Sequence, residues 1–145
     1  IRMVKLTVEN YRKDKYYPKV VKAMNDELIH SSSVSAIEVM QRMGILKKDH
    51  VVDWKKGRVP YLEKILSCNL SKANRILRLM HFHAHDLNLK PSITIYKRKA
   101  RSKTILLKFS KSGEQKLEDV NRHPKLSTYL HPKVSTFQAD LTFLN

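Results

Sequence analysis

Pro91 divides the chain into two patterns of hydrophobicity, and any fold must turn from one to the other there. Upstream, apolar residues recur every three or four positions; downstream, they alternate. A helix rarely passes the residue before a proline, so the division predicts helices first and strands afterwards, an α+β chain. With only three Gly and five Pro among 145 residues, each of the others also marks a boundary. Pro18 suits the first turn of a helix that carries Val21, Met24 and Leu28. Ser35 and Glu38 have capping-box spacing ahead of Ile37, Met40 and Met43, and Gly44 is placed to end that second helix. "ILKKDHVVDWKKGR" then reads as a connector with a brief strand at Val51 and Val52. Pro60 opens a helix to about Ser67, and Ser71 caps a longer one to about Leu87.

Beyond Pro91, Ile93, Ile95, Ile105, Leu107 and Phe109 alternate with polar residues on either side of the basic run "KRKARSK". This predicts a β-hairpin over residues 93–109 with a cationic tip. Helix, helix, short turn, helix and hairpin, in that order, is the order of a winged helix-turn-helix. On that reading residues 1–17 are an N-terminal arm, 18–113 the winged helix-turn-helix domain, and 114–145 a C-terminal helix with an apolar segment.

Charge supplies the partner class. Twenty-nine Lys and Arg against thirteen Asp and Glu leave a formal net charge of +16, more than solubility asks for, so a polyanion is expected. On a helical wheel at roughly 100° per residue, Ala73, Ile76, Leu77, Met80, Ala84 and Leu87 form one stripe, while Arg75, Arg78, Phe82 and His85 point away from it. Lys72 and Asn74 flank the outward face near its N-terminal end. Arg pairs with guanine and Asn with adenine through two hydrogen bonds each in the major groove, so helix 71–87 is the expected reading helix. Lys97, Arg98, Lys99, Arg101 and Lys103 supply the wing, which contacts backbone and carries little base information. Lys55, Lys56 and Arg58, around Gly57, form a phosphate clamp before the next helix, with Trp54 anchoring the connector.

Other chemistries leave weaker marks. "VVDWK" has the look of the Asp-x-Lys strand of a metal-dependent nuclease, with Asp53 on Mg²⁺ and Lys55 orienting water, but a second carboxylate lacks an obvious source. His81 and His85 are four apart on one side of a helix without a third ligand nearby, so no metal is expected. Cys68 is alone and reads as a small buried side chain. No catalytic residue and no cofactor is expected.

"WKKGRVPYLEKILSCNLSK", "LKPSITIYKRK" and "LKFSKSG" resemble a group of small bacterial proteins with W-x-x-G-R-V-P-Y-L-E, N-L-S-K and F-S-K-S-G segments, a likeness spanning about Trp54 to Gly113. It implies a bacterial family and carries no activity or catalytic residue across.

Past Pro124 the chain holds Leu126, Tyr129, Leu130, Val134, Phe137, Leu141 and Phe143, too many apolar residues for a free tail. They either wrap the domain or form a homodimer contact. No stretch of about eighteen apolar residues and no secretory signal pattern occurs. The expectation is a cytoplasmic, nucleoid-associated duplex DNA-binding protein without membrane association, a transcription regulator or mobile-element accessory factor. A binding module for structured RNA or a protein partner, and the nuclease above, are the alternatives.

Overall fold

The capping box closes as its spacing requires: Ser35 Oγ accepts from the Glu38 amide at 3.2 Å, and Glu38 Oε1 accepts from the Ser35 amide at 3.0 Å. It starts α2 (Ala36–Arg42), which follows α1 (Tyr17–His30) and the short strand β1 (Ser33–Ser35). The structure, a computed structural model, describes residues 5–93, 95–110 and 127–130. The described residues are mixed helix and sheet, an α+β arrangement of four α-helices and two small antiparallel sheets.

The connector after α2 corrects the expected strand at Val51 and Val52: Lys48–Lys55 is helix α3. Gly44, at φ +75°, lets the Gly44 and Ile45 amides turn back onto the Gln41 and Met40 carbonyls, at 3.1 and 2.9 Å. Ile45 and Leu46 are thereby buried, and the chain re-enters a helix whose Val51 and Trp54, three apart, face the core. Two helices joined by a glycine-containing turn, residues 43–47, result.

The helix expected from Pro60 is a single 3-10 turn, Leu62–Ile65. Its first amides are taken by other partners, Leu62 bonding to the Lys108 carbonyl at 3.0 Å and Glu63 to the Phe109 carbonyl at 2.8 Å. The long helix appears as α4 (Leu70–Asp86), capped by Asn69 rather than Ser71, with Asn69 Oδ1 accepting from the Lys72 amide at 2.8 Å. Asn88, at φ +58°, turns the chain out of α4 into β2 (Lys90–Ile93).

The hairpin is shorter than expected and begins later. β3 (Lys97–Ala100) pairs antiparallel with β4 (Lys103–Leu106), Arg98 opposite Ile105 and Ala100 opposite Lys103. Ile93 is not part of it. β2 instead pairs with β5 (Ser127–Leu130), which also pairs with β1, giving a three-stranded antiparallel sheet of order β1-β5-β2. Leu130 stands opposite both Ser33 and Lys90. The expected helix around "EQKLEDV" and all of the apolar C-terminal segment except residues 127–130 lie outside the described residues, as does the expected dimer contact.

One core joins these elements, with Met24, Met40, Trp54, Leu62, Ile76, Leu79 and Met80 fully buried. Among the described residues no helix is long and apolar enough to cross a membrane.

Candidate nucleic-acid interface

The basic hairpin is seated on the C-terminal end of α3. Its entry residue Tyr96 packs against Trp54 with ring centroids 5.3 Å apart. Trp54 Nε1 in turn donates to the carbonyl of Lys108, two residues past the end of β4, at 2.9 Å. Burial pushes the Tyr96 phenol up to about 12, the Glu38 carboxylate adding to the shift and a hydrogen bond with Ser35 opposing it. Gly57, at φ +79°, ends α3 and leaves room for Arg98, whose guanidinium crosses where a side chain would stand.

Pleating then sorts the hairpin cations. Arg98 lies on the face turned to Gly57, while Lys97 and Lys99 are exposed on the other. Arg101 and Lys103 are exposed at the tip, Arg101 at φ +53°, where non-glycine residues are uncommon. Beside this hairpin Lys55, Lys56 and Arg58 are exposed; Lys55 Nζ lies 5.8 Å from the Tyr96 ring centroid, and Arg58 pairs with Asp53 at 3.2 Å. The clamp and the wing of the sequence reading are thus adjacent. Lys47 and Lys48, at the N-terminal end of α3, are exposed too. They were missed because the stretch reads as a connector with a brief strand, and Val51 and Trp54 are too few inward anchors for periodicity to tell helix from strand.

The four candidates on α4 are placed differently. Residues 5–17 lie over the outward face of that helix. Arg75 pairs with Asp14, both largely buried. Arg78 is exposed yet donates to the Leu6 carbonyl at 3.3 Å. Lys72 Nζ lies 4.9 Å from the Tyr16 ring centroid. Asn74 is half-buried, and its Oδ1 has no hydrogen-bond partner among the described residues. Phe82, which did not suit a solvated face, stacks on Tyr11 at 4.5 Å with the rings nearly parallel. The Tyr11 hydroxyl donates to Asp86, which also pairs with Arg12 at 3.2 Å, and these contacts hold the Asp86 carboxyl below its ordinary range. Tyr11 and Asp14, the residues that cover α4, carried no pattern that marked them in the sequence.

Asp53 and Lys55 do not alternate along a strand. On α3 they are two positions apart, roughly 200° around the helix, and Asp53 accepts from Arg58. The geometry of an Asp-x-Lys strand is therefore not the one found. His81 and His85 are exposed, whereas His83 between them is buried, its Nε2 3.2 Å from Asn25 Oδ1. Burial holds its imidazole below the ordinary value, against the opposing effect of Asp86. Cys68 is half-buried, and burial pushes its thiol up. Among the described residues no three His, Cys, Asp or Glu side chains are grouped to hold a metal ion.

This arrangement offers two exposed basic elements, α3 with its following turn and the hairpin, fixed to each other by buried contacts. It offers charge rather than stacking faces, because its aromatic rings, Trp54 and Tyr96, are turned inward as the seat. No protein-family model, no curated protein and no solved structure matches the chain.

Proposed function

We propose that the chain is a duplex DNA-binding protein of winged-helix type, in which α2, the Gly44 turn and α3 form the helix-turn-helix and the β3–β4 hairpin is the wing. The observation that carries this reading is the seat of the hairpin on α3. Arg98 over Gly57 and Tyr96 on Trp54 hold Lys97, Lys99, Arg101 and Lys103 beside Lys55, Lys56 and Arg58. A rigid group of cations matches a regular phosphate backbone better than charges on independent loops. In this reading α3 enters the major groove in place of helix 71–87, whose outward face is taken up by residues 5–17. Lys47 and Lys48 support the assignment: cations at the N-terminal end of a helix oppose its dipole, a small cost that an anionic partner removes.

The test is a titration of labelled duplex DNA, single-stranded DNA and stem-loop RNA at low and physiological salt. Duplex DNA should bind best, with affinity falling steeply as salt rises. Lys55, Lys56, Lys97 and Lys99 changed together to Glu should abolish binding, while Lys19 and Lys22 changed to Glu on α1 should not. A flat salt response, or equal losses in both variants, overturns the proposal; RNA outcompeting duplex DNA reassigns the partner. Plasmid incubated with Mg²⁺ should stay intact.

A further inference from the structure

Val52 stands at the centre of the outward face of α3. At roughly 100° per residue, the exposed residues Lys55, Lys48, Val52, Lys56 and Asp49 follow one another around an arc of roughly 120°, and the fully buried Trp54 lies roughly 200° from Val52. Val52 is 41% exposed among these charged neighbours. A valine gains nothing there in the free protein. It is β-branched and loses rotamer freedom in a helix, and its isopropyl group leaves in water apolar surface whose burial is favourable. Lone exposed apolar residues are common on protein surfaces; this one is set apart by its place among the cations assigned above to DNA.

Asp49 decides which part of a duplex such a face can meet. It is exposed and has no ion pair among the described residues. A carboxylate in the first turn suits the helix dipole, yet it repels phosphate. The arc from Asp49 to Val52 therefore fits base edges on the floor of the major groove, while Lys48 and Lys55, on its other side, fit a backbone. Among those base edges the apolar feature is the 5-methyl group of thymine.

We propose that Val52 packs on the 5-methyl group of thymine in the major groove, so that binding favours duplexes with thymine at that position. The inference rests on the duplex-binding reading above and names the base feature that α3 recognises.

A pair of probes that differ in this methyl group alone tests it: an alternating adenine–thymine duplex, and the same duplex with deoxyuridine in place of thymidine. Phosphate charge is equal in the two. The parent protein should bind the thymine duplex about fourfold more tightly, the effect of burying one methyl-sized group. Val52→Ala, at an exposed position where alanine is the better helix former, should fold as the parent does and bind the two duplexes alike. Lys97→Ala should weaken binding to both and keep the ratio between them. Equal affinity of the parent protein for the two duplexes overturns the inference and leaves duplex binding standing. A ratio that survives Val52→Ala overturns it as well, since another group then senses the methyl. Binding to neither duplex removes the underlying reading, and this inference with it.

Discussion

The Arg98 guanidinium crosses directly over the Cα of Gly57, so that a Cβ there would lie 2.3 Å from Arg98 Nε. Two separate costs follow for Gly57→Ala. The side chain of Arg98 is flexible and can swing away cheaply, but the φ of +79° cannot be relieved. Alanine in that region costs about 1–2 kcal/mol. Gly57→Ala should therefore destabilise by about that amount, and the double variant with Arg98→Ala should recover none of the backbone part. Duplex affinity should drop in Gly57→Ala at temperatures where it is folded, because Arg98 can no longer lie over residue 57 and the hairpin is held by Tyr96 on Trp54 alone. Urea titrations and binding isotherms on the three proteins check both halves.

Arg75 belongs to the scaffold. Its partner Asp14 has a side chain only 3% exposed, and removing the guanidinium leaves a buried carboxylate whose remaining bond is to the Tyr16 amide. Arg75→Ala should destabilise by about 3 kcal/mol, in the range of the cavity variants Ile76→Ala and Met80→Ala at about 2–5 kcal/mol. None of the three should change which duplex sequence is preferred. A selection from a random duplex pool, paired with thermal melts, separates this outcome from that of a reading helix, in which Arg75→Ala would alter sequence preference and spare the melt.

The contrast between Arg75 and Val51 shows what the sequence could convey. Elements with a local stop or start were legible: Pro18, Gly44 and Pro91 act through their own backbone, Ser35 and Glu38 through side chains that bond each other's amides three residues apart, and α1, α2 and α4 lie close to where they were expected. Helix α3 was not, since it has only Val51 and Trp54 as inward anchors over eight residues, too short a run for periodicity to tell helix from strand. The sheet was hidden for a related reason. β1 has three residues and β5 four, and their pairing joins distant parts of the chain. The outward face of α4 was read correctly as charged, but charge on a wheel implies solvent only when nothing else packs there. Asp14 and Tyr11 do pack there, and no local rule foretells a contact across so much intervening sequence.

His83 makes stability depend on pH on the acid side. Burial holds its imidazole below the ordinary value of about 6.5, so the unfolded chain binds a proton there before the folded one does. Stability is then fully present above that value and declines as pH falls below it. His83→Gln, which keeps a donor for Asn25 and cannot titrate, should flatten this part of the profile. Melting temperatures of the two proteins from neutral to mildly acidic pH provide the comparison; parallel profiles would mean that the imidazole is not the source.

Glu38 acts in the opposite sense. Burial is the largest cause that raises its carboxyl above the ordinary range, followed by its hydrogen bond with Glu27, while the Ser35 bonds oppose both. Glu27 is held low despite its own burial, by hydrogen bonds from Glu38 and from Arg42, whose Nε is 2.6 Å away. With a raised folded value, the Glu38 contribution is present at low pH and lost as pH climbs through that value. Glu38→Gln retains an acceptor for the Ser35 amide and offers Glu27 a permanent donor. It should match the parent at acid pH and exceed it near neutrality, which denaturant midpoints at the two conditions will show; a variant weaker than the parent near neutrality alone would mean that the Glu38 charge itself stabilises the fold.

Arg101 allows the charge of the hairpin to be separated from its fold. At φ +53° it carries backbone strain that Gly relieves and Ala does not, so Arg101→Gly should stabilise the hairpin by about 1 kcal/mol relative to Arg101→Ala. Both variants remove the same cation from the tip. If that cation neutralises one phosphate, each should lower the slope of log affinity against log salt by about 0.9, whatever its stability. The two readouts then move independently: hydrogen exchange or melting distinguishes Gly from Ala, and the salt slope distinguishes both from the parent. Slopes equal to that of the parent in both variants would mean that the tip touches no phosphate, and that its charge serves only to keep an exposed β-edge in water.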